Sequence, residues 1–185
     1  MRKLTKLSMA AVLVWSLSGC DNNTPMMDQV LEKNVAGVKA SLDSGAEVDA
    51  RNNFGWTALM HAARLGHTDL IRLLIDNGAK IEAEDDAGWT ALMRATMKGQ
   101  EAAVQLLVEL GADVKHVDKS GWTSLHWAAQ QGNQASLEIL KTAGSDLVAK
   151  TEDGFTPYML ARKEGHIDLA NLIGRWMREQ GHAIH

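Results

Sequence analysis

Gly55-Trp56-Thr57-Ala58-Leu59, Gly88-Trp89-Thr90-Ala91-Leu92 and Gly121-Trp122-Thr123-Ser124-Leu125 stand 33 residues apart, and Gly154-Phe155-Thr156-Pro157-Tyr158 continues the series. Two further glycine sets keep the same register: Gly66, Gly99, Gly132 and Gly165, and Gly45, Gly78, Gly111 and Gly144. Three independent sets with one spacing define an internal repeat. A period of this length belongs to stacked supersecondary units, each too small to bury its own apolar face.

The residues between these markers say what each unit contains. Thr57, Thr90, Thr123 and Thr156 each precede a short apolar-periodic run. A hydroxyl at that place caps the free N–H groups of a helix start. Gly66, Gly99, Gly132 and Gly165 then end the first helix in a left-handed residue. In the first unit that site falls at Lys33, followed by Asn34, which also tolerates the conformation. A second helix shows its apolar face in Leu70-Ile71-Leu73-Leu74-Ile75, Ala103-Val104-Leu106-Leu107-Val108 and Leu137-Ile139-Leu140. Stacking such pairs makes one continuous core.

Asp118-Lys-Ser-Gly-Trp-Thr-Ser-Leu-His126-Trp-Ala-Ala129, then Gly132-Asn133, together with Gly45-Ala46-Glu47-Val48-Asp49-Ala50 and Gly111-Ala112-Asp113-Val114, resembles the ankyrin repeat. The resemblance covers about residues 26–184. It implies an all-α solenoid of stacked helix–turn–helix units joined by hairpin loops. About five repeats are expected, at 26–51, 52–84, 85–117, 118–150 and 151–184, within a domain spanning 26–185. The end repeats should act as caps. Asp28, Gln29, Glu32 and Lys33 wet the first; Thr24-Pro25 starts it with proline at the first helical position. The last helix should run from about Ile167 to Gln180, since Met177 stands where a glycine is expected and the next glycine is Gly181. Trp176 is expected to make a cap contact, and Trp127 to lie in the core.

Residues 1–19 carry a different pattern. Arg2, Lys3 and Lys6 precede an apolar stretch from Met9 to Leu17, short of the roughly 20 residues a spanning helix needs. Leu17-Ser18-Gly19-Cys20 resembles a bacterial lipobox. That resemblance implies removal of 1–19, a lipidated Cys20 with palmitate-type acyl chains, and a tether over 20–25 reaching roughly 20 Å. Asp21 resembles a signal for retention in the inner membrane. The chain left after processing has 16 Lys and Arg against 23 Asp and Glu, a net charge of −7, because three bases and no acids depart. Such a chain is a poor ligand for nucleic acid, and its link to a membrane would be the lipid alone.

The apolar share of 45% rules out wholesale disorder. A single cysteine rules out a disulfide framework and any multi-cysteine metal site. No G-x-S-x-G, HExxH or P-loop occurs. His67 and His166 stand in the structural Gly-His signature of the resembled family, and His126 at its structural histidine, which is replaced by Met60, Met93 and Met159 in the other repeats. His182 and His185 have H-x-x-H spacing without a third ligand. No cofactor, no metal and no enzymatic activity are expected.

In the resembled family the hairpin tips and inner-helix ends contact protein partners. Carried over, the tips are Asn53, Phe54 and Trp56; Asp86, Ala87 and Trp89; Lys119, Ser120 and Trp122; and Glu152, Asp153 and Phe155. The helix ends add Arg64, Leu65, Met97, Lys98, Gln130, Gln131, Lys163 and Glu164. The partner-binding set expected from these is Phe54, Trp56, Arg64, Asp86, Trp89, Met97, Lys98, Lys119, Trp122, Gln130, Gln131 and Phe155. Trp56, Trp89, Trp122 and Phe155 form a ladder with rungs about 10 Å apart. It either anchors a partner or packs on the next hairpin. His61 and Arg94 fill a position that is usually apolar and are expected to reach solvent rather than line the groove.

The function expected is non-enzymatic: a monomeric lipoprotein of the bacterial periplasm, holding one periplasmic or membrane-proximal protein. One form is an immunity protein against a toxin of the type VI class, a phospholipase or peptidoglycan hydrolase. The alternative is an accessory to a periplasmic enzyme, for example in oxidative-stress defence.

Overall fold

The computed structural model describes residues 22–183, in which ten helices form five successive pairs and no strand occurs. The signal segment, Cys20 and Asp21 lie outside the described residues, as does His185. The pairs are α1 (Pro25–Leu31) with α2 (Val35–Asp43), α3 (Ala58–Leu65) with α4 (Thr68–Asp76), α5 (Ala91–Met97) with α6 (Glu101–Glu109), α7 (Ser124–Gln130) with α8 (Gln134–Thr142), and α9 (Pro157–Lys163) with α10 (Ile167–Glu179).

Each inner helix starts on its threonine. The Thr57 hydroxyl accepts from the Met60 N–H at 3.4 Å, Thr90 from Met93 at 3.5 Å, Thr123 from His126 at 3.4 Å and Thr156 from Met159 at 3.3 Å. Thr24 does the same for Met27 at 3.3 Å, with Pro25 opening α1. In the first pair Lys33 itself takes the left-handed conformation, at φ 54°, while Asn34 caps α2 by accepting from the Gly37 N–H at 2.9 Å.

Packing explains the repeat's small residues. α1, α3, α5, α7 and α9 lie side by side in one row, and α2, α4, α6 and α8 in a second. Ala58, Ala62, Ala63, Ala91, Ala95, Ala128, Ala129 and Ala161 are buried on the inner row, where a larger side chain would hold the helices apart. Leu70, Ile71, Leu74, Val104, Leu107, Leu137 and Leu140 fill the space between rows. One apolar cluster runs unbroken from Met26 to Met177. At its end α10 extends to Glu179, Met177 is buried, and Trp176 is half-buried with the Lys141 Nζ 5.4 Å from its ring.

Between the pairs, short turns project sideways. Asn52 Oδ1 accepts the N–H groups of Phe54 and Trp56, each at 3.0 Å. Asp85 Oδ1 accepts from Ala87 and Trp89, and Asp118 Oδ1 from Ser120 and Trp122, at 2.8 to 3.0 Å. The turns are then tied to one another: Asp86 N–H donates to the Phe54 carbonyl at 3.2 Å, Lys119 N–H to Ala87 at 3.1 Å and Glu152 N–H to Ser120 at 3.0 Å. This lattice fixes where the residue after each tip glycine stands.

Candidate functional site: an interleaved ring stack and its open end

The residue after the tip glycine is Trp56, Trp89, Trp122 or Phe155, and all four are half-buried. They do not stand as separate rungs. The Arg94 guanidinium lies 3.9 Å from the Trp56 ring centroid and 4.2 Å from that of Trp89. Trp127 then lies 4.4 Å from both Trp89 and Trp122. The two 4.4 Å steps hold Trp89 and Trp122 no more than 8.8 Å apart, closer than the spacing expected from helix packing. Planar cations and tilted rings fill the gaps because ring faces attract both.

This arrangement corrects two expectations. His61 and Arg94 do not reach solvent: His61 is 6% exposed with its ring 4.9 Å from that of Trp56, and the Arg94 side chain is 12% exposed. The cause is the aromatic row itself, which supplies walls that accept a flat group. Trp127 is half-buried in the same stack rather than enclosed in the apolar core.

Arg94 is further held by an ion pair with Asp85. Burial lowers the guanidinium's pKa, and the Asp85 carboxylate opposes that shift by hydrogen bond and charge. Asp85 thus serves twice: one oxygen shapes the turn, the other neutralises the stacked cation. His126 is equally committed. Its Nδ1 accepts the Thr123 N–H at 3.1 Å, so Nε2 carries the proton and donates to the carbonyls of Ala149 at 3.0 Å and Phe155 at 3.2 Å. Burial is the main reason its pKa lies below the ordinary 6.5. Among the described residues no group of three or more His, Cys, Asp or Glu is placed to hold a metal ion, and no helix is long and apolar enough to cross a membrane.

At the N-terminal end the stack opens into a pocket of about 430 Å³. Its walls include Phe54, Trp56, His61, Arg64, Asp86 and Arg94. Phe54 is 51% exposed, and the Arg64 guanidinium stands 5.8 Å from the Trp56 ring. Of the residues expected to bind a partner, the structure brings Phe54, Trp56, Arg64 and Asp86 together here. Trp89 and Trp122 join them through the stack. Met97, Lys98, Lys119, Gln130, Gln131 and Phe155 lie elsewhere along the same turns and helix ends. Lys119 Nζ donates to the Asp86 carbonyl at 2.6 Å, the Gln130 carbonyl contacts His166 Nε2 at 3.0 Å, and Lys163 Nζ stands 4.8 Å from the Phe155 ring. Asn52, Asp85 and Ala87 also line the pocket. Their signal was present in the recurrence of Asn52, Asp85 and Asp118, each three residues before a tip glycine.

Paired helices with projecting, laterally bonded turns define an interaction solenoid, a class whose grooves hold other macromolecules. The sequence profile described as "Ankyrin repeats (3 copies)" matches residues 26–118 and 110–176, and the chain belongs to the ankyrin-repeat family. That family is in general a non-enzymatic interaction domain, and its repeats make this chain a protein–protein interaction module. An "Ankyrin repeat, SAM and basic leucine zipper domain-containing protein 1" from Equus caballus is 49% identical over 41 residues, 22% of this chain and 9% of that protein. A "Probable E3 ubiquitin-protein ligase XBOS33" from Oryza sativa subsp. japonica is 37% identical over 74 residues, 40% of this chain and 14% of that protein. The chain therefore spans only 9% to 14% of these relatives, and the likeness is one of repeats.

Proposed function

We propose that this chain is a lipid-anchored ankyrin protein that holds one protein partner at the periplasmic face of a bacterial inner membrane. The observation that carries the binding half is the open pocket beside Phe54 and Trp56, an apolar hollow with a half-exposed ring at its mouth. A recessed aromatic site with a polar rim is the anatomy of an interface hot spot. The membrane half rests on the basic start, the short apolar stretch and Leu17-Ser18-Gly19-Cys20. A short tether from Cys20 to Pro25 would confine the groove near the bilayer, so the partner would be membrane-proximal or periplasmic. In its sharper form the protein is an immunity protein, an inhibitor of a phospholipase or peptidoglycan hydrolase that acts in that compartment.

Two measurements test this. Cells making a cognate periplasmic toxin should survive only when this protein is co-expressed. Survival that is unchanged by its deletion would sink the immunity reading. Separately, Cys20→Ala should remove palmitate labelling and leave residues 1–19 attached to the chain. Palmitate labelling that persists in the variant would refute Cys20 as the lipid site.

A further inference from the structure

The last helix pair departs from the three before it at four positions of the repeat. Tyr158 stands where α3, α5 and α7 carry the buried Leu59, Leu92 and Leu125. Arg162 stands where they carry the buried Ala63, Thr96 and Ala129. In α10, Gly174 replaces Ile75, Val108 and Lys141, and Arg175 replaces Asp76, Glu109 and Thr142. Among the described residues no further pair packs against α9 and α10, so Tyr158 is half-buried and Arg162 and Arg175 are exposed.

These changes leave a hollow of about 270 Å³ lined by Tyr158, Asn171, Gly174, Arg175 and Arg178. Gly174 has no side chain to fill it, although glycine is disfavoured inside a helix. Arg162 lies over the Tyr158 ring, 5.9 Å from its centroid, and its Nη1 donates to the Tyr158 hydroxyl at 3.5 Å. A hydroxyl that accepts in this way still has its own proton to give. Arg175 and Arg178 are in no ion pair among the described residues.

The charge around the hollow is one-sided. Arg162, Arg175 and Arg178 share this end of the pair with one acid, Glu179, which is paired with none of them. Glu164 and Asp168 flank the connection between α9 and α10, at the other end of the pair, and Glu152 and Asp153 sit on the projecting turn; none of the four lines the hollow. An end pair does not need such a surface merely to stay wet. The first pair, also open on one side, exposes both signs: Glu32 and Asp43 with Lys33 and Lys39.

We propose that this hollow binds a phosphate monoester group, borne by a small soluble molecule or present as the free ion. The donor set selects it. Two guanidiniums, the Tyr158 hydroxyl and the Asn171 amide can all donate inward, and neither guanidinium can accept. A phosphate monoester offers three strong acceptor oxygens and nearly two negative charges, more than one carboxylate supplies. Guanidiniums grip such oxygens through paired parallel bonds. The volume lies below the range of about 300–1,000 Å³ typical of pockets for drug-sized ligands, so a single charged group suits it. The site is separate from the pocket beside Phe54, and its failure would leave the partner-binding reading standing.

The test is a titration of the full chain in a non-ionic detergent with inorganic phosphate, followed by NMR of backbone amides and arginine Nε–H groups at constant ionic strength. Shifts should saturate and centre on Tyr158, Asn171, Arg175 and Arg178. Arg175→Gln and Arg178→Gln should each weaken binding by about tenfold or more, as loss of a charged hydrogen bond does. Both side chains are exposed, so each variant should melt within about a degree of the wild type. Tyr158→Phe should weaken binding by a smaller factor, and Glu179→Gln should tighten it. Acetate should bind more weakly than phosphate. Glycerol 3-phosphate should bind at least as well as the free ion, and better than micelles of short-chain phosphatidylglycerol, whose phosphate is a diester. Tighter binding to those micelles would overturn the soluble monoester and make the ligand a lipid headgroup. Shifts that never saturate, an equal response to acetate, or indifference to both arginine variants would overturn the site itself.

Discussion

Arg94 of helix α5 is paired with Asp85 of the turn that precedes it, and the Asp85 side chain is only 1% exposed. Removing the cation strands a buried carboxylate, a loss that typically costs about 3–5 kcal/mol. Arg94→Leu should therefore lower the urea midpoint by an amount worth about 3 kcal/mol with an unchanged slope. Asp85→Asn is the informative partner variant. Asn52 already makes the same turn bonds one repeat earlier, so the amide keeps the turn and removes only the charge. Combined with Arg94→Leu it should recover part of the loss. Arg94→Lys should not restore the wild-type midpoint, because an ammonium has no plane to lay against Trp56 and Trp89. Additive effects in the double variant would show that the pair carries no coupling.

The helices, caps and pairing of this fold are legible in the sequence because each repeat states them again: four threonines cap four inner helices, and a shared period puts them in one row. The ring stack was half legible. A period of 33 aligns Trp56 with Trp89, but it says nothing of what lies between them. The residue that enters the gap, Arg94, stands five positions after Trp89, and Trp127 stands five after Trp122. A polar side chain at a usually apolar position reads as solvent-facing when taken alone. Only the neighbouring repeat's ring makes its burial favourable, and that is a tertiary relation.

His126 gives the stack an acid sensitivity. Its folded pKa is lowered, chiefly by burial, whereas the unfolded chain titrates near the ordinary 6.5. Below 6.5 the unfolded state takes up the proton first. Stability is thus full above that pH and is lost as pH falls through the folded value. His67, lowered by burial and by Lys33, contributes in the same direction. The melting temperature should fall between pH 7.5 and pH 5.5. His126→Met imitates Met60, whose sulfur takes the Thr57 N–H at 3.5 Å. It gives up the bonds to Ala149 and Phe155, costing about 1–2 kcal/mol at pH 7.5, and should flatten the pH dependence. An equal drop in both proteins would show that His126 is not the titrating group.

Two glycines separate backbone strain from crowding. Gly55 and Gly78 both have positive φ, 74° and 87°. A Cβ at Gly78 would meet nothing within 4 Å, whereas one at Gly55 would stand 2.8 Å from the Asp86 backbone nitrogen. Gly78→Ala should lose only the left-handed penalty of about 1–2 kcal/mol. Gly55→Ala should lose that and also break the bond from Asp86 to the Phe54 carbonyl that ties two turns together. Its melting temperature should be lower by several degrees more. Equal losses would mean that the turns give way without disturbing the stack.

Phe54 and Trp89 are both aromatic and both on the turn face, yet the structure gives them opposite duties. Phe54 is 51% exposed at the pocket mouth. Trp89 has Arg94 on one side at 4.2 Å and Trp127 on the other at 4.4 Å, so both its flanks are taken. Trp89→Ala should destabilise the chain by about 3–4 kcal/mol, the lower part of the range for deleting a packed aromatic. Phe54→Ala should leave the melting temperature within about a degree, as surface substitutions do, and should abolish crosslinking to the partner in intact cells. If Trp89→Ala lost the partner while melting normally, the stack would be contact surface rather than scaffold. If Phe54→Ala kept the partner, the pocket would not be where it docks.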